Sequence, residues 1–477
     1  MSIRQLISTF LLSVVVSGWA LAQSQSGPPP AYGQGAEPAQ SNPNPPISGL
    51  DQPTLEPGAA PRSFLIPGAH VSEALDTNPT GSTTDQSSAS VTTLLGSLAL
   101  QRLWSRYDLA LDYVGGGSFY SSGGPSASQI ESLEADQRIL WRNGQLAFRD
   151  AFSYLPEGSF GFGSYGGAGS IAGIGALGGP LSGGGFSGGG IGATQNSFFG
   201  PGQFASIGQE PVITNLAVAD VTQNLSRRSA LTLAGSYGLV HYTNDNSEFF
   251  DSRQVAAQAG YNYQLSRKDQ IAFIYGYQAF RYPNSATGDF NTHVINVLYG
   301  HRVSGRMDFL VGGGPQVTQT SSPFFGSSTY VSLSGRASLR YRFPKTSLGV
   351  YYDHYNTSGS GFFVGAKTDL VRFSVSRAFG RVWDASADIG YTHDSRILPV
   401  PVIFSPVNNA ESYNYVYAGG ALHRQLGRQF SAFVSYQFNQ LGFDQSFCGV
   451  GISCDRSSNR HIVAFGLDWH PHPIRLD

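Results

Sequence analysis

Apolar and polar residues alternate along most of this chain, over stretches of about 10 to 15 residues, which is long enough for strands that cross a membrane. The alternation is clearest at 331–343, where Val331 and Leu333 take turns with Ser332 and Ser334. Because successive side chains of a β-strand point to opposite faces, one face of such a strand suits lipid and the other suits water. The pattern therefore predicts strands with one apolar side and one polar side.

Short polar turns separate these stretches, and every second connection is longer. The turns lie at 105–106, 142–144, 226–229, 266–269, 304–306, 344–345, 380–381 and 426–428. Counting from a first strand at 64–77 to a last strand at 460–470 gives about eighteen strands in hairpin order. The predicted fold is all-β, a transmembrane antiparallel up-and-down β-barrel of about 18 strands with its short turns in the periplasm. Aromatic residues at strand ends, Tyr242, Tyr282 and Trp469, fit a girdle at the membrane interface.

The first residues have the three-part layout of a secretory signal peptide. Arg4 precedes an apolar stretch at 6–16, and a small-residue triplet follows at 20–22. The apolar stretch is too short for a spanning helix, which needs roughly 20 residues. We therefore predict a signal peptide at 1–22 and a mature chain outside the cytoplasm, in the outer membrane.

Residues 23–62 contain ten prolines among Gln, Ser, Asn and Gly. So little apolar surface cannot offset the entropy lost on ordering, and a disordered Pro-rich periplasmic segment is predicted. The alternative is a tether that reaches the cell wall or a periplasmic partner through polyproline II stretches. The barrel is predicted to occupy the remainder, 63–477.

Composition supports a membrane barrel over a solvated globule. Charged residues make up only 13% of the chain, which also contains 60 glycines, 24 tyrosines and 31 phenylalanines. A typical soluble domain is about 25% charged. The formal net charge is −2 and no basic run is present, so no nucleic-acid partner is expected.

The segments 71–73 (Val-Ser-Glu) and 76–79 (Asp-Thr-Asn-Pro) resemble the first strand and turn of porin-like outer-membrane barrels, including those encoded near polysaccharide-export systems. The strand at 461–469 is similar to the assembly signal of such barrels, although the tail 470–477 departs from it by continuing past Trp469. The resemblance implies outer-membrane lipid and the barrel-assembly machinery as partners. A homo-oligomer is a further expectation of the resemblance.

Charged residues at inward-facing positions are the candidate lumen groups, because a charge that faces lipid at the midplane costs about 2 to 4 kcal/mol. The set consists of Arg336, Arg340, Arg342 and Arg372, and of Asp108, Asp112, Asp384 and Asp388. Opposed basic and acidic rows would create a transverse field that orders water and selects ions. The alternative is that these groups pair with one another and stabilise a closed lumen.

The glycine-rich loop at 156–209 has nineteen glycines between positions 158 and 202. It could fold inward as a constriction, cover the mouth as a lid, or remain a mobile surface loop, and glycine favours the last because ordering it loses the most entropy. A nucleotide site is not predicted there, since no strand-to-helix context surrounds the Gly-x-Gly triplets.

Cys448 and Cys454 are expected to form a local disulfide, because an exported chain is oxidised. No metal site and no cofactor are expected, and none of the ten histidines has a catalytic spacing, so the chain is not predicted to be an enzyme. The predicted function is an outer-membrane porin-like channel for small polar or anionic solutes, glycan segments among them. The alternatives are a non-transporting barrel whose loops bind a surface partner and a polysaccharide-export barrel.

Overall fold

The structure is a computed structural model, and it describes ten parts of the chain between residues 45 and 476. The described residues are 45–51, 63–79, 87–122, 128–155, 211–244, 249–283, 285, 287–398, 411–444 and 457–476. Within these ranges, no helix is long and apolar enough to cross a membrane. The predicted signal peptide, the glycine-rich loop and both cysteines lie outside the described residues.

Eighteen long strands form the wall. They are β1 Phe64–Asp76, β2 Ala89–Leu103, β3 Tyr107–Tyr120, β4 Ser128–Trp141, β5 Gly144–Leu155, β6 Val212–Asn224, β7 Ser229–Tyr242, β8 Ser252–Gln264, β9 Asp269–Arg281, β10 Asp289–Ser304, β11 Met307–Ser322, β12 Gly326–Arg342, β13 Thr346–Thr357, β14 Ala366–Phe379, β15 Trp383–Arg396, β16 Ser412–Gln425, β17 Phe430–Phe443 and β18 Ser457–Trp469. A two-residue strand, β19 Ile474–Arg475, follows them.

Each strand pairs antiparallel with the next, and β1 closes the ring by pairing with β18. Ala69 lies opposite Trp469 at one end of this seam, and Asp76 lies opposite Ile462 at the other. The tail turns back so that β19 pairs with the first residues of β1. The predicted closed barrel of eighteen antiparallel strands is confirmed, and the resemblance to porin-like outer-membrane barrels is confirmed for the fold.

All eight predicted short turns connect consecutive strands, and serine side chains shape several of them. In the β8–β9 turn, Ser266 Oγ accepts hydrogen bonds from the backbone N–H groups of Lys268, at 3.0 Å, and Asp269, at 3.1 Å. Ser226 Oγ accepts the equivalent bonds in the β6–β7 turn. A hydroxyl that binds the backbone two and three residues ahead fixes a tight turn without a special backbone conformation. These turns form one rim, the turn rim.

The wall is apolar outside and polar inside. Along β8, exposed residues such as Val255 and Tyr261 alternate with buried residues such as Gln254 and Gln258. Leu333 on β12 faces outward with 71% of its surface exposed. A soluble protein places these residue types the other way round, so the outer face is suited to lipid.

Exposed aromatic residues follow the turn rim. They include Trp104, Trp141, Phe343, Phe379, Trp383, Phe430 and Trp469. Arginines lie over three of these rings, with guanidinium carbons 5.1 to 5.3 Å from the centroids of Trp383, Phe379 and Trp104. Aromatic and basic groups of this kind mark the boundary between lipid and water.

The rim opposite the turn rim, where the longer connections lie, is called here the loop rim. The predicted girdle role is wrong for Tyr242 and Tyr282, which are buried inside the barrel near the loop rim. Their positions have inward parity: Val240, two residues before Tyr242, is buried on the same face. Position at a strand end therefore does not decide the face, whereas parity does. Trp469 is exposed at the turn rim, as the girdle prediction requires.

The loop 358–365, between β13 and β14, folds into the barrel at the loop rim. Phe363 and Val364 are buried there, and Tyr282 Oη donates a 3.0 Å hydrogen bond to the Ser358 carbonyl. Ser360 has a φ of 53°, and the glycines at 359, 361 and 365 have φ between 79° and 85°. These left-handed conformations bend the loop sharply inward, so this loop narrows the lumen.

Candidate functional site in the barrel lumen

A cluster of buried charges lies on β4, β5 and β6, inside the barrel. Arg149 Nη1 is 2.6 Å from Asp220 Oδ1, and Arg138 Nη2 is 3.2 Å from Asp136 Oδ2. The alternation brings these groups together, because Asp136 and Arg138 share the inward face of β4 and Asp136 lies opposite Arg149 on β5. Only 2% of Arg149 and 3% of Arg138 are exposed.

The fifth charge of this cluster is Asp51, which lies inside the barrel and does not belong to a strand of the wall. Asp51 Oδ1 lies 2.7 Å from Arg149 Nη2 and 3.4 Å from Arg138 Nη2. The Gln145 side-chain amide also donates to the Asp51 carboxylate. Burial acts to raise the pKa of Asp51, but the two guanidinium groups and these hydrogen bonds outweigh it and hold the pKa below its usual value.

Asp51 ends a short segment, 45–51, that lies in the lumen and is called here the lumen segment. Its Ile47 N–H donates to Asn262 Oδ1 at 3.1 Å. Gln258 Nε2 donates to the Ser48 carbonyl at 2.8 Å, and Thr232 Oγ1 donates to Ser48 Oγ at 2.9 Å. Inward polar side chains of β7 and β8 thus hold the segment by both its backbone and its side chains.

Two apolar side chains anchor the lumen segment as well. Ile47 packs against Ala272, Ile274 and Leu298. Leu50 packs in a second group, which consists of Ala151, Leu216, Val218 and Ala256. A glycine in the wall leaves room for the lumen segment, because a Cβ added at Gly260 would lie only 2.7 Å from Ser48 Cβ. The barrel wall and this piece of the Pro-rich region therefore have complementary shapes.

The predicted basic residues lie along the inner wall, and most have acidic neighbours. Arg340 Nε donates to Asp308 Oδ1 at 3.0 Å, and Arg372 Nε donates to Asp388 Oδ2 at 2.9 Å. Arg336 Nη2 donates to the Ile47 carbonyl of the lumen segment at 3.3 Å. Arg342 lies at the end of β12, partly exposed near the turn rim.

The predicted acidic residues do not form a separate row. Asp388 pairs with Arg372 on the neighbouring strand, so these two charges face each other across one ladder and not across the lumen. Asp108 lies opposite Arg138, Asp112 lies opposite Glu134, and Asp384 lies opposite His423. Three of the four acidic residues therefore lie next to an arginine or a histidine, whereas Asp112 lies next to another acidic residue.

An internal cavity lies beside the lumen segment. Polar side chains make up much of its lining, among them Gln258, Gln278, Asn296, Gln316, Ser334 and Arg336. Ser334 Oγ donates to Asn296 Oδ1 at 2.7 Å across this wall. Because Gln258 and Arg336 also bind the segment, the cavity and the segment share one polar environment.

Sequence reasoning missed the cluster around Arg138 and Arg149. Arg138 and Asp136 stand two positions apart in an alternating stretch, which was a usable signal for a shared inward face. For Asp51 the sequence offered none, since it lies in a Pro-rich range predicted to be disordered. Among the described residues, no group of three or more His, Cys, Asp or Glu side chains could hold a metal ion.

No protein-family model matches the chain, and no curated protein matches it. Several solved structures are similar to it. Pseudomonas aeruginosa OpdQ is 8% identical with a TM-score of 0.41, and the match covers 86% of this chain and 99% of OpdQ. P. aeruginosa OccK2 (OpdF), in complex with glucuronate, is 7% identical with a TM-score of 0.41 and coverages of 87% and 98%. P. aeruginosa OpdK, with vanillate, is 10% identical with a TM-score of 0.39 and coverages of 85% and 99%.

Proposed function

We propose that this chain is an outer-membrane channel for small polar or anionic solutes, exported by the signal peptide at 1–22. The observation that carries the proposal is the closed eighteen-stranded wall with an apolar outside and a charged, polar inside. Barrels of about 16 to 18 strands are wide enough to enclose an aqueous path. A polar lining is useful only if water or a polar solute enters.

The inner face of β12 carries three arginines, at positions 336, 340 and 342, with Ser338 at the same-face position between the first two. Same-face neighbours on a strand are about 6.6 Å apart, so these groups form a series and not a single clamp. A series of weak sites lets an anion enter and then leave for the next site. Pairing of Arg340 with Asp308 keeps its site weak, because the aspartate competes with an incoming anion.

Conductance in planar lipid bilayers tests this function. The refolded full chain should give discrete current steps, with a preference for anions that falls as salt screens the lumen charges. A chain that is folded, as judged by β-rich circular dichroism and by heat-modifiable migration on gels, but never conducts would contradict the channel.

The second candidate is a non-transporting barrel whose external loops bind a surface partner. The observation that favours it is the narrowing of the lumen by two chain segments, 45–51 and 358–365. A polysaccharide-export barrel would be a special case of the channel. Conductance of the unchanged chain separates the two candidates, because only a channel conducts with both segments in place.

A further inference from the structure

The Asp51 carboxylate is bound as a free anionic ligand would be. Three side chains from the wall contact it: Arg149 Nη2 donates a hydrogen bond at 2.7 Å, the Gln145 amide donates another, and Arg138 Nη2 forms an ion pair at 3.4 Å. Asp51 belongs to no strand. It reaches the cluster from the lumen segment. The three side chains that contact it belong to β4 and β5, so the wall supplies the site and the lumen segment supplies the group that occupies it.

The lumen segment can leave without breaking the barrel. Within the part of the segment that the structure describes, the backbone-to-backbone bond is internal, from Gly49 N–H to the Pro46 carbonyl at 3.0 Å. Each hydrogen bond between the described residues 45–51 and the wall involves a wall side chain, such as Asn262 or Arg336. The ladders of β4 to β10 remain intact when these bonds are lost.

Charge determines what would take the vacated place. Without Asp51, the group around Arg138 and Arg149 keeps Asp136, Asp220 and Asp108 and has lost one negative charge. One further carboxylate then restores the charge seen in the folded chain. It also supplies the acceptor that Arg149 Nη2 loses with Asp51.

We propose that Arg138, Arg149 and Gln145 form a binding site for the carboxylate of a small organic acid, which Asp51 fills as a tethered occupant. A solute carboxylate and Asp51 compete for the same three donors. The inference deepens the proposed channel function, since it names the solute class and the first anion site on its path. Asp136 and Asp220 share the arginines, so the bound acid is held weakly enough to leave.

The test uses trifluoroacetate as the probe and ¹⁹F relaxation as the readout, with the full chain refolded in detergent. Asp51→Asn removes the competing charge, and the apparent affinity should rise at least about tenfold, because the free site is then no longer a minor population. A second variant, Ile47→Gln with Leu50→Gln, weakens the apolar anchors without changing any charge. It should raise the affinity in the same direction.

Two controls identify the site. Asp289→Asn also removes a carboxylate from an arginine, Arg281, but the side chains of this pair are both exposed and do not touch the lumen segment, so the affinity should stay near that of the unchanged chain. Asp51→Asn combined with Arg149→Gln should lose the gain. The proposal is overturned if Asp289→Asn gains as much as Asp51→Asn, if the Arg149→Gln combination keeps the gain, or if neither segment variant binds the probe more tightly.

Binding is measured without current, so the two proposals fail separately. If Asp51→Asn conducts and no variant binds trifluoroacetate, the carboxylate site is wrong while the channel stands. If binding follows the expected order and no variant conducts, the site stands and the channel is wrong.

Discussion

The Arg460 guanidinium on β18 lies against the Asp76 carboxylate on β1, and neither side chain is exposed at all. Arg460 Nε is 3.0 Å from Asp76 Oδ1 and 2.9 Å from Oδ2, although 384 positions separate the residues. Nearby, Asn78 Nδ2 donates to Ser458 Oγ at 3.1 Å. This ion pair joins the first strand to the last, at the end of the seam near the loop rim.

Removing one partner of the seam pair should destabilise the barrel strongly. Asp76→Asn leaves a buried guanidinium without its counter-charge, and losses of about 3 to 5 kcal/mol are typical of such changes. The free energy of unfolding in urea, with the barrel in lipid vesicles, measures the effect. Asp289→Asn is the matched control, because Asp289 and its partner Arg281 are both exposed and the loss of this pair should cost about 0 to 1 kcal/mol. Equal losses for the two variants would contradict a special role for the seam.

Most of the fold could be predicted from the chain because the lipid-facing residues repeat with a period of two. The alternation at 331–343 predicted that Val331 and Leu333 are exposed. The spacing of the short turns predicted about eighteen strands. The lumen segment could not be predicted in this way. The hydrogen bond from Ile47 to Asn262 joins residues 215 positions apart. A contact between residues so distant in sequence does not produce a periodic pattern from which it could be predicted.

For a related reason, the inward position of the lumen charges could be predicted from the sequence, but their ion-pair partners could not. Parity assigns Arg340 and Arg372 to the inner face, but it does not say which carboxylate lies next to them. Strand register decides that, and register sets Arg372 diagonally across from Asp388. The predicted disulfide between Cys448 and Cys454 remains a prediction, since both lie outside the described residues.

Filling the space at Gly260 should displace the lumen segment. The Cβ of Gly260→Val would lie 2.7 Å from Ser48 Cβ, and overpacking of this kind costs about 1 to 3 kcal/mol. We expect a higher single-channel conductance from an intact barrel. Gly235→Ala on β7 is the control, because its new Cβ would have no atom closer than 3.8 Å. A Gly260→Val conductance equal to that of the control would mean that the segment stays in place.

Replacing Arg340 and Arg342 together by Ser should shift selectivity toward cations. The change removes two positive charges from the inner face and leaves Asp308 without its arginine, so both effects have the same sign. Reversal potentials in a salt gradient measure the shift. The reciprocal variant, Asp308→Asn, should move selectivity toward anions. If both variants assemble and neither changes the reversal potential, these side chains do not face the conducting path.

Acid should release the lumen segment, but only at low pH. The pKa of Asp51 is lower in the folded chain than its usual value of 3.8, so its contribution to stability is complete above about pH 4 to 5 and disappears as pH falls through the folded pKa. Arg138, Arg149, Asp136 and Asp220 surround position 51 in the unchanged chain and in Asp51→Asn alike. The conductance of the unchanged chain should therefore approach that of Asp51→Asn only in strong acid. A convergence between pH 6 and 8 would contradict this assignment.

The short turns should face the periplasm and the long loops the outside of the cell. Lys268 and Lys345 lie exposed in short turns, whereas Arg456 belongs to the long connection between β17 and β18. Barrels of this class insert from the periplasm and keep their short turns there. Trypsin added to intact cells should therefore cut after Arg456 and spare both lysines until the outer membrane is permeabilised, and peptide masses identify the cleaved bonds. Early cleavage after Lys268 and Lys345, with Arg456 protected, would reverse the orientation of the barrel.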